Sequence, residues 1–331
     1  MTTELQMTPF VILTDNNQKS FDIPKSDHLI IIKPWKYPEK INVSESTLEQ
    51  LFSNSLTDTP CIYLNKERET NVAIEMCVQY LESSVDSIVV RDDELNPIGM
   101  IGGIDLLHHI RKNPTPDSQH EMKVKQTMSN ELLIVDKDMT FQSLMEKWRS
   151  SGRAFAIIPN AFHGYSPISA RKMLEIGVKT NTNASISSLP KKKMITFQSD
   201  NSLREIIDLM FENNTRKLLL EYSDQFISDR VILKQISKIL KFQPEIDNLL
   251  DISIKDMELD HTEVILEDLN LNRICEKMYE MEHPYLIYKD TSITPWDICN
   301  VLESESFSKS NESTSEKITC PHCGKNIDLQ S

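Results

Sequence analysis

Glycine is scarce in this sequence: seven residues among 331, about 2% where about 7% is usual. Loops that cradle dinucleotides or triphosphates need clustered glycines so that the backbone can approach the phosphates. The one cluster, Gly99, Gly102 and Gly103, fits neither spacing. A nucleotide-hydrolysing or hydride-transferring enzyme is thereby disfavoured. Basic excess is also missing. Against 50 acidic side chains stand 36 basic ones, for a formal net charge of −14. Broad binding to nucleic acid or to an anionic membrane needs a basic face, so neither is expected. Long apolar runs are absent too: the longest, such as Leu29-Ile30-Ile31-Ile32, fall far short of the roughly 20 residues of a membrane span. The first ten residues lack the charged head of a signal peptide. Of six cysteines, Cys61, Cys77, Cys275 and Cys299 sit singly among apolar neighbours, which is not a secreted disulfide framework. The expected setting is a reducing cytoplasm.

What is present is a repeat. Four segments carry larger side chains at i, i+3, i+4 and i+7: Ala73-Met76-Cys77-Tyr80, Phe141-Leu144-Met145-Trp148, Leu203-Ile206-Ile207-Met210 and Leu271-Ile274-Cys275-Met278. That spacing sets four side chains on one stripe of a helix. Thr140, Ser202 and Asn270 stand just before three of these stripes as N-caps would, and Ser202 with Glu205 has capping-box spacing. A short apolar run precedes each stripe: Cys61–Leu64, Leu132–Val135, Met194–Phe197 and Val264–Leu266. Another follows each: Ser87–Val90, Phe155–Ile158, Leu218–Leu220 and Tyr285–Tyr288. These read as buried strands. A turn, a third strand and a second helix come next, the helix beginning near Asp105, Lys172, Val231 and Asp297. The unit is β-α-β-β-α, four times over, and the fold class is α/β. A long–short–long spacing between units groups them into two tandem pairs.

The expected domains follow: an N-terminal extension (1–45) holding a strand pair packed on the first repeat; a first pair (46–178, repeats 55–112 and 122–178); a second pair (184–303, repeats 186–241 and 253–303); a flexible Ser/Glu tether (304–317); and a tail (318–331). Asn113–Asp117 is the expected loop within the first pair, and 241–257 takes that part in the second. The tether has one aromatic and no aliphatic residue over 303–317, too little to order itself.

The segments Pro97-Ile98-Gly99-Met100-Ile101-Gly102-Gly103-Ile104-Asp105 and Ser166-Pro167-Ile168-Ser169-Ala170-Arg171-Lys172-Met173 resemble the signature of the cystathionine-β-synthase (CBS) domain: a glycine, two apolar residues, Ser or Thr, two variable residues, then Asp. The resemblance spans about residues 46–303, as four consecutive copies. It implies a non-catalytic protein whose paired repeats form a pseudo-symmetric disc, with clefts for adenosine nucleotides (AMP, ADP or ATP) and an effect passed to a partner. It also implies a homodimer through the pairs. In such a motif the Asp accepts hydrogen bonds from two ribose hydroxyls, while the Ser or Thr and helix-start N–H groups meet a phosphate. Here each pair holds one acid-bearing half and one half with serine and a cation. Gly99 and Asp105 mark the first repeat, where Gly102 replaces the hydroxyl. Ser169, Arg171 and Lys172 mark the second; Ser228 and Arg230 the third, with Val231 at the acid position; Thr294 and Asp297 the fourth. At most one nucleotide cleft per pair is expected, on Asp105 and on Asp297. The alternative is that these residues only cap helices and carry surface charge, leaving a ligand-free scaffold or dimerisation module.

Cys320-Pro321-His322-Cys323-Gly324 looks like one knuckle of a zinc ribbon, with Cys320 and Cys323 as two thiolate ligands. Four ligands close such a site, so the others come from elsewhere or from a partner; a redox dithiol and a remnant are the other readings. A transcription-associated factor using this tail is a further alternative, weakened by the acidic charge. His108 and His109 follow Asp105, but no nucleophile or oxyanion arrangement accompanies them, so an enzyme is not expected.

Overall fold

The chain divides into two units, Met1–Lys36 and Tyr37–Ser331. The computed structural model describes residues 40–79, 87–162, 164–180, 184–242 and 245–304, with three short strands beyond them. The apolar runs of the N-terminal extension, Tyr80, and the Cys320 and Cys323 pair lie outside the described residues.

Of four stretches, three run strand, helix, strand, strand, helix, and the second has the same order without its entry strand. The first holds β2 (Tyr63–Asn65), α2 (Thr70–Gln79), β3 (Ser87–Arg91), β4 (Pro97–Gly102) and α3 (Gly103–Lys112), preceded by β1 (Lys40–Asn42) and α1 (Leu48–Phe52). After α4 (Pro116–Glu121) comes the second: α5 (Phe141–Ser151), β5 (Phe155–Asn160), β6 (Gly164–Ser169) and α6 (Leu174–Lys179). The third is β7 (Thr196–Phe197), α7 (Leu203–Glu212), β8 (Lys217–Leu220), β9 (Gln225–Ser228) and α8 (Asp229–Phe242). The fourth follows β10 (Asp260–His261): β11 (Glu263–Ile265), α9 (Leu271–Glu280), β12 (Leu286–Tyr288), β13 (Thr291–Ile293) and α10 (Pro295–Ser304).

Local chemistry starts these helices. Thr140, Ser202 and Asn270 accept the backbone N–H three residues on, and Glu205 returns the bond to Ser202. In each repeat but the second, the entry strand runs parallel to the middle strand and the third is antiparallel to it. The expected strand over Leu132–Val135 shrinks to a single bridge, Ile134 to Ile157. The expected loop at Asn113–Asp117 holds the start of α4, capped by Thr115 with Pro116 at its first position. Part of the expected tether is a strand: β14 (Ser306–Ser308) pairs with β1, because backbone ladders need no apolar side chain. In the tail β15 (Ile318–Thr319) pairs with β16 (Asn326–Ile327) on either side of the CxxC segment.

The last three stripes are buried throughout and the first at Ala73 and Cys77, with Met76 half-buried, yet they do not close one core per pair. One core joins the first repeat to the third, from Leu64, Ala73 and Ile110 through Ile206, Ile232 and Leu250. Another joins the second to the fourth and includes α1: Leu48, Trp148 and Leu174 with Ile274, Cys275 and Leu302. Within each tandem pair only small sheet-on-sheet clusters form, Val89 and Met100 against Phe155 and Ile157, and Leu219 and Phe226 against Tyr285 and Ile287. The pairs therefore dock through helices, α2 and α3 on α8, and α6 and α10 on α9 and α5. This contact lies within one chain; association of two chains needs a further surface.

Candidate functional site

The motif residues lie along the third strand and at the start of the second helix. In the acid-bearing halves the carboxylate reaches back over its own helix start. Asp105 Oδ2 accepts the Gly102 N–H at 2.9 Å. Asp297 Oδ2 accepts from the Thr294 N–H at 2.8 Å and from Thr294 Oγ1 at 2.7 Å. Both carboxylates are largely buried. Beyond this shared box they differ. Arg153, from the second repeat, grips Asp105 through both guanidinium nitrogens, Nη1 to Oδ2 at 2.8 Å and Nη2 to Oδ1. That contact raises the arginine's pKa above its ordinary value, against burial. Asp297 Oδ1 has no partner among the described residues.

The serine-bearing halves face the other pair. Ser228 Oγ caps α8, accepting the Val231 N–H at 3.2 Å. Arg230 crosses to the first repeat and donates to the Cys77 carbonyl, in the last turn of α2, at 2.7 Å. Arg171 crosses to the fourth repeat and donates to the Met281 and Glu282 carbonyls, just past α9, at 2.6 Å each. A cation at a helix C-terminus satisfies open carbonyls and meets the negative end of the dipole. The two arginines, two residues after equivalent serines, thus make reciprocal clamps between the pairs. Lys172 pairs with Glu175 at 2.7 Å and Asp58 at 3.3 Å. Ser169 ends β6, buried. Gly99 lies against the Ser129 carbonyl, 2.5 Å from where a Cβ would sit, so its bareness serves a backbone crossing.

A polar cluster gathers where these turns meet. Asp229, the first residue of α8, is 2% exposed and takes the Arg216 Nε and Nη2 at 2.8 and 2.7 Å. Burial pushes its pKa up, but Arg216 and Arg230 outweigh it and hold the carboxyl below the usual range. Asp229 also lies against the start of α3: a Cβ on Gly103 would stand 2.1 Å from its Oδ2. Lys217 donates to the Pro284 carbonyl at 2.6 Å and covers the Tyr285 ring. Arg153, Arg216 and His283 each stand just ahead of a middle strand, in three repeats out of four. The motif contains none of them; the register of the repeat would have found them.

His283 packs edge-on against Phe226, with cations Lys217, Arg230 and Arg171 and the anion Asp229 around it. Asp260 Oδ2 is 3.3 Å from its Nε2, and Glu282 3.6 Å. Distance alone would favour the imidazolium, but Asp260 Oδ2 makes no aligned hydrogen bond. Burial dominates, Lys217 adds to it, and the pKa falls from 6.5 to about 4. Because the unfolded chain takes up the proton first, stability from this group is full above about pH 6.5 and is lost as pH falls toward 4, by up to about 3 kcal/mol. The wild-type thermal midpoint is expected to fall between pH 7 and pH 5 more steeply than that of His283→Gln. Parallel profiles would refute the assignment.

Among the described residues no helix is long and apolar enough to cross a membrane, and no group of three or more His, Cys, Asp or Glu side chains could hold a metal ion. No protein-family model and no curated protein matches the sequence. Solved structures do match. A Methanocaldococcus jannaschii protein, given as a candidate archaeal homologue of g-AMPK, superposes with a TM-score of 0.59 at 13% identity, over 77% of this chain and 99% of its own. A CBS-domain containing protein from Agrobacterium tumefaciens matches over 41% of this chain and 96% of its own, at 12% identity and a TM-score of 0.34. A signal-transduction protein with CBS domains from Burkholderia ambifaria matches over 39% and 92%, at 14% and 0.33. The chain has the α/β fold of the archaeal protein.

Proposed function

We propose that this chain is a non-catalytic regulatory protein that binds one adenosine nucleotide, at the Asp297 turn of the second pair, and signals occupancy to a partner. The observation that carries this reading is the contrast between two carboxylates in the same capping box. Asp105 is closed by Arg153, while Asp297 keeps Oδ1 for a further donor. A ribose diol supplies such donors, and a charged acceptor makes those bonds strong. At the start of α10 the Trp296 N–H has no acceptor among the described residues and is a donor of the kind a phosphate takes. A bound nucleotide shifts a conformational equilibrium only by its different affinity for two states. The signal would therefore run through α10, which packs on α5, α6 and α9.

The same contacts favour a second reading, a scaffold without ligand, because Arg153, Arg171 and Arg230 are engaged within the protein. Calorimetry with AMP, ADP and ATP separates the two. At least one is expected to bind with one site per chain and to raise the thermal midpoint. Asp297→Ala is expected to weaken it about tenfold or more, and Asp105→Asn to leave it unchanged. Unchanged affinity in Asp297→Ala would remove the site from this turn; no binding by any of the three leaves the scaffold. In the regulatory reading the Cys320 and Cys323 thiolates form half of a zinc site closed from outside the tail.

A further inference from the structure

The second pair carries an open groove of about 540 Å³ between its two entry strands, away from the Asp297 turn. Its walls include Thr196 of β7 and Val264 of β11, with their strand partners Leu219 and Ile287, and Met194; Tyr222 stands at the rim. The first pair has the same four strand positions, occupied by Tyr63 and Val89 in one repeat and Ile134 and Ile157 in the other. There the first of these positions carries an aromatic side chain, Tyr63. Tyr63 packs against the cluster that holds Val89 and Ile157 and is covered by the Arg91 guanidinium, 3.1 Å from the ring centre. Its hydroxyl accepts the Tyr165 N–H at 3.0 Å. In the second pair threonine stands where Tyr63 stands, and the groove is left open.

Two further features bear on what fits. β7 and β11 are the end strands of their sheets. The Ile195 and Phe197 carbonyls accept the Leu219 and Glu221 N–H groups at 3.0 Å. The Thr196 N–H and carbonyl therefore point the other way, to the open edge. An extended backbone could bond there. The rim carries the fully accessible Tyr222 beside Ser223 and Asp224, the latter paired with His261, and the exposed Lys191, Lys192 and Lys193 lead into Met194.

We propose that this groove receives an aromatic side chain from an extended segment of a partner protein, with an acidic residue beside it to meet the lysines. The partner's ring would take the place that Tyr63 takes in the first pair. This inference does not depend on nucleotide binding. The test is methyl NMR of the full chain titrated with the peptide acetyl-Glu-Ile-Tyr-Leu-Asn-amide. Saturable shifts are expected at the Met194, Leu219 and Ile287 methyls, and about tenfold weaker binding for the same peptide with alanine in place of tyrosine. Thr196→Tyr, which supplies the aromatic residue of the first pair, is expected to abolish the shifts. Val264→Glu, at a half-exposed wall position, checks the result if that variant is unstable. Absence of saturable shifts, equal binding of the alanine peptide, or undiminished binding by both variants would each overturn the proposal. So would binding of free 4-methylphenol without the peptide, which would make the groove a small-molecule pocket.

Discussion

Gly103→Ala should loosen the two pairs from each other, although alanine in a helix ordinarily adds up to about 1 kcal/mol over glycine. The added Cβ would lie 2.1 Å from Asp229 Oδ2 and 2.7 Å from its Cγ. Asp229 cannot swing aside cheaply: it is short, buried, and held by two nitrogens of Arg216. Either α3 withdraws from α8, opening the core shared by the first and third repeats, or the buried ion pair breaks. Overpacking costs about 1–3 kcal/mol and a broken buried pair about 3–5. A net loss of about 3 kcal/mol is expected, lowering the midpoint by roughly 6 °C or more. Gly103→Ala with Asp229→Ala should lose less than the two single changes together, since both act on one contact. A midpoint at or above wild type for Gly103→Ala, read by circular dichroism, would refute the close approach.

Arg153→Met should act on stability and on ligand count together. Removing the guanidinium leaves the Asp105 carboxylate with the Gly102 N–H alone, in a position 7% exposed. An uncompensated buried charge costs about 3–5 kcal/mol, and Asp105→Asn in the same chain should restore much of it. The second effect rests on the nucleotide reading. With its carboxylate released, the first pair acquires the open oxygen that distinguishes Asp297, and calorimetry should count two sites per chain in place of one. Stability unaffected by Arg153→Met would show that the pair does not matter. A lost midpoint with the count still at one would show that the first pair lacks a cleft for other reasons.

Much of this architecture could be read from the sequence, because it is encoded locally. The stripes at Phe141, Leu203 and Leu271 fix helix phase, and Thr140, Ser202 and Asn270 fix helix starts. Thr115 followed by Pro116 is an equally local signal for α4, set in a segment whose composition otherwise reads as loop. What a stripe cannot say is which other stripe it meets, so the docking of first on third and second on fourth repeat had no sequence counterpart. β14 pairs with β1 across most of the chain, and local composition says nothing about so distant a partner. Arg171 and Arg230 show a different limit. A phosphate and a helix C-terminus both present oxygen acceptors to a guanidinium, and a serine two residues earlier suits either. Arg153 lies outside the motif and reaches Asp105 across 48 positions, so only the fold could join them.

The crossed docking of the repeats also constrains how the chain can be made. A tandem pair is contiguous, yet its helices find their cover in the other pair. While a ribosome is still completing the third repeat, the first has exposed Ile74, Leu106 and Ile110 with nothing to bury them. The second waits longer still, for α9 and α10. Domains that emerge early ordinarily fold early, but here early folding stops at two small sheet sandwiches. The late, long-range steps then fall together near the end of synthesis, which puts this chain among those that fold slowly and expose apolar surface meanwhile.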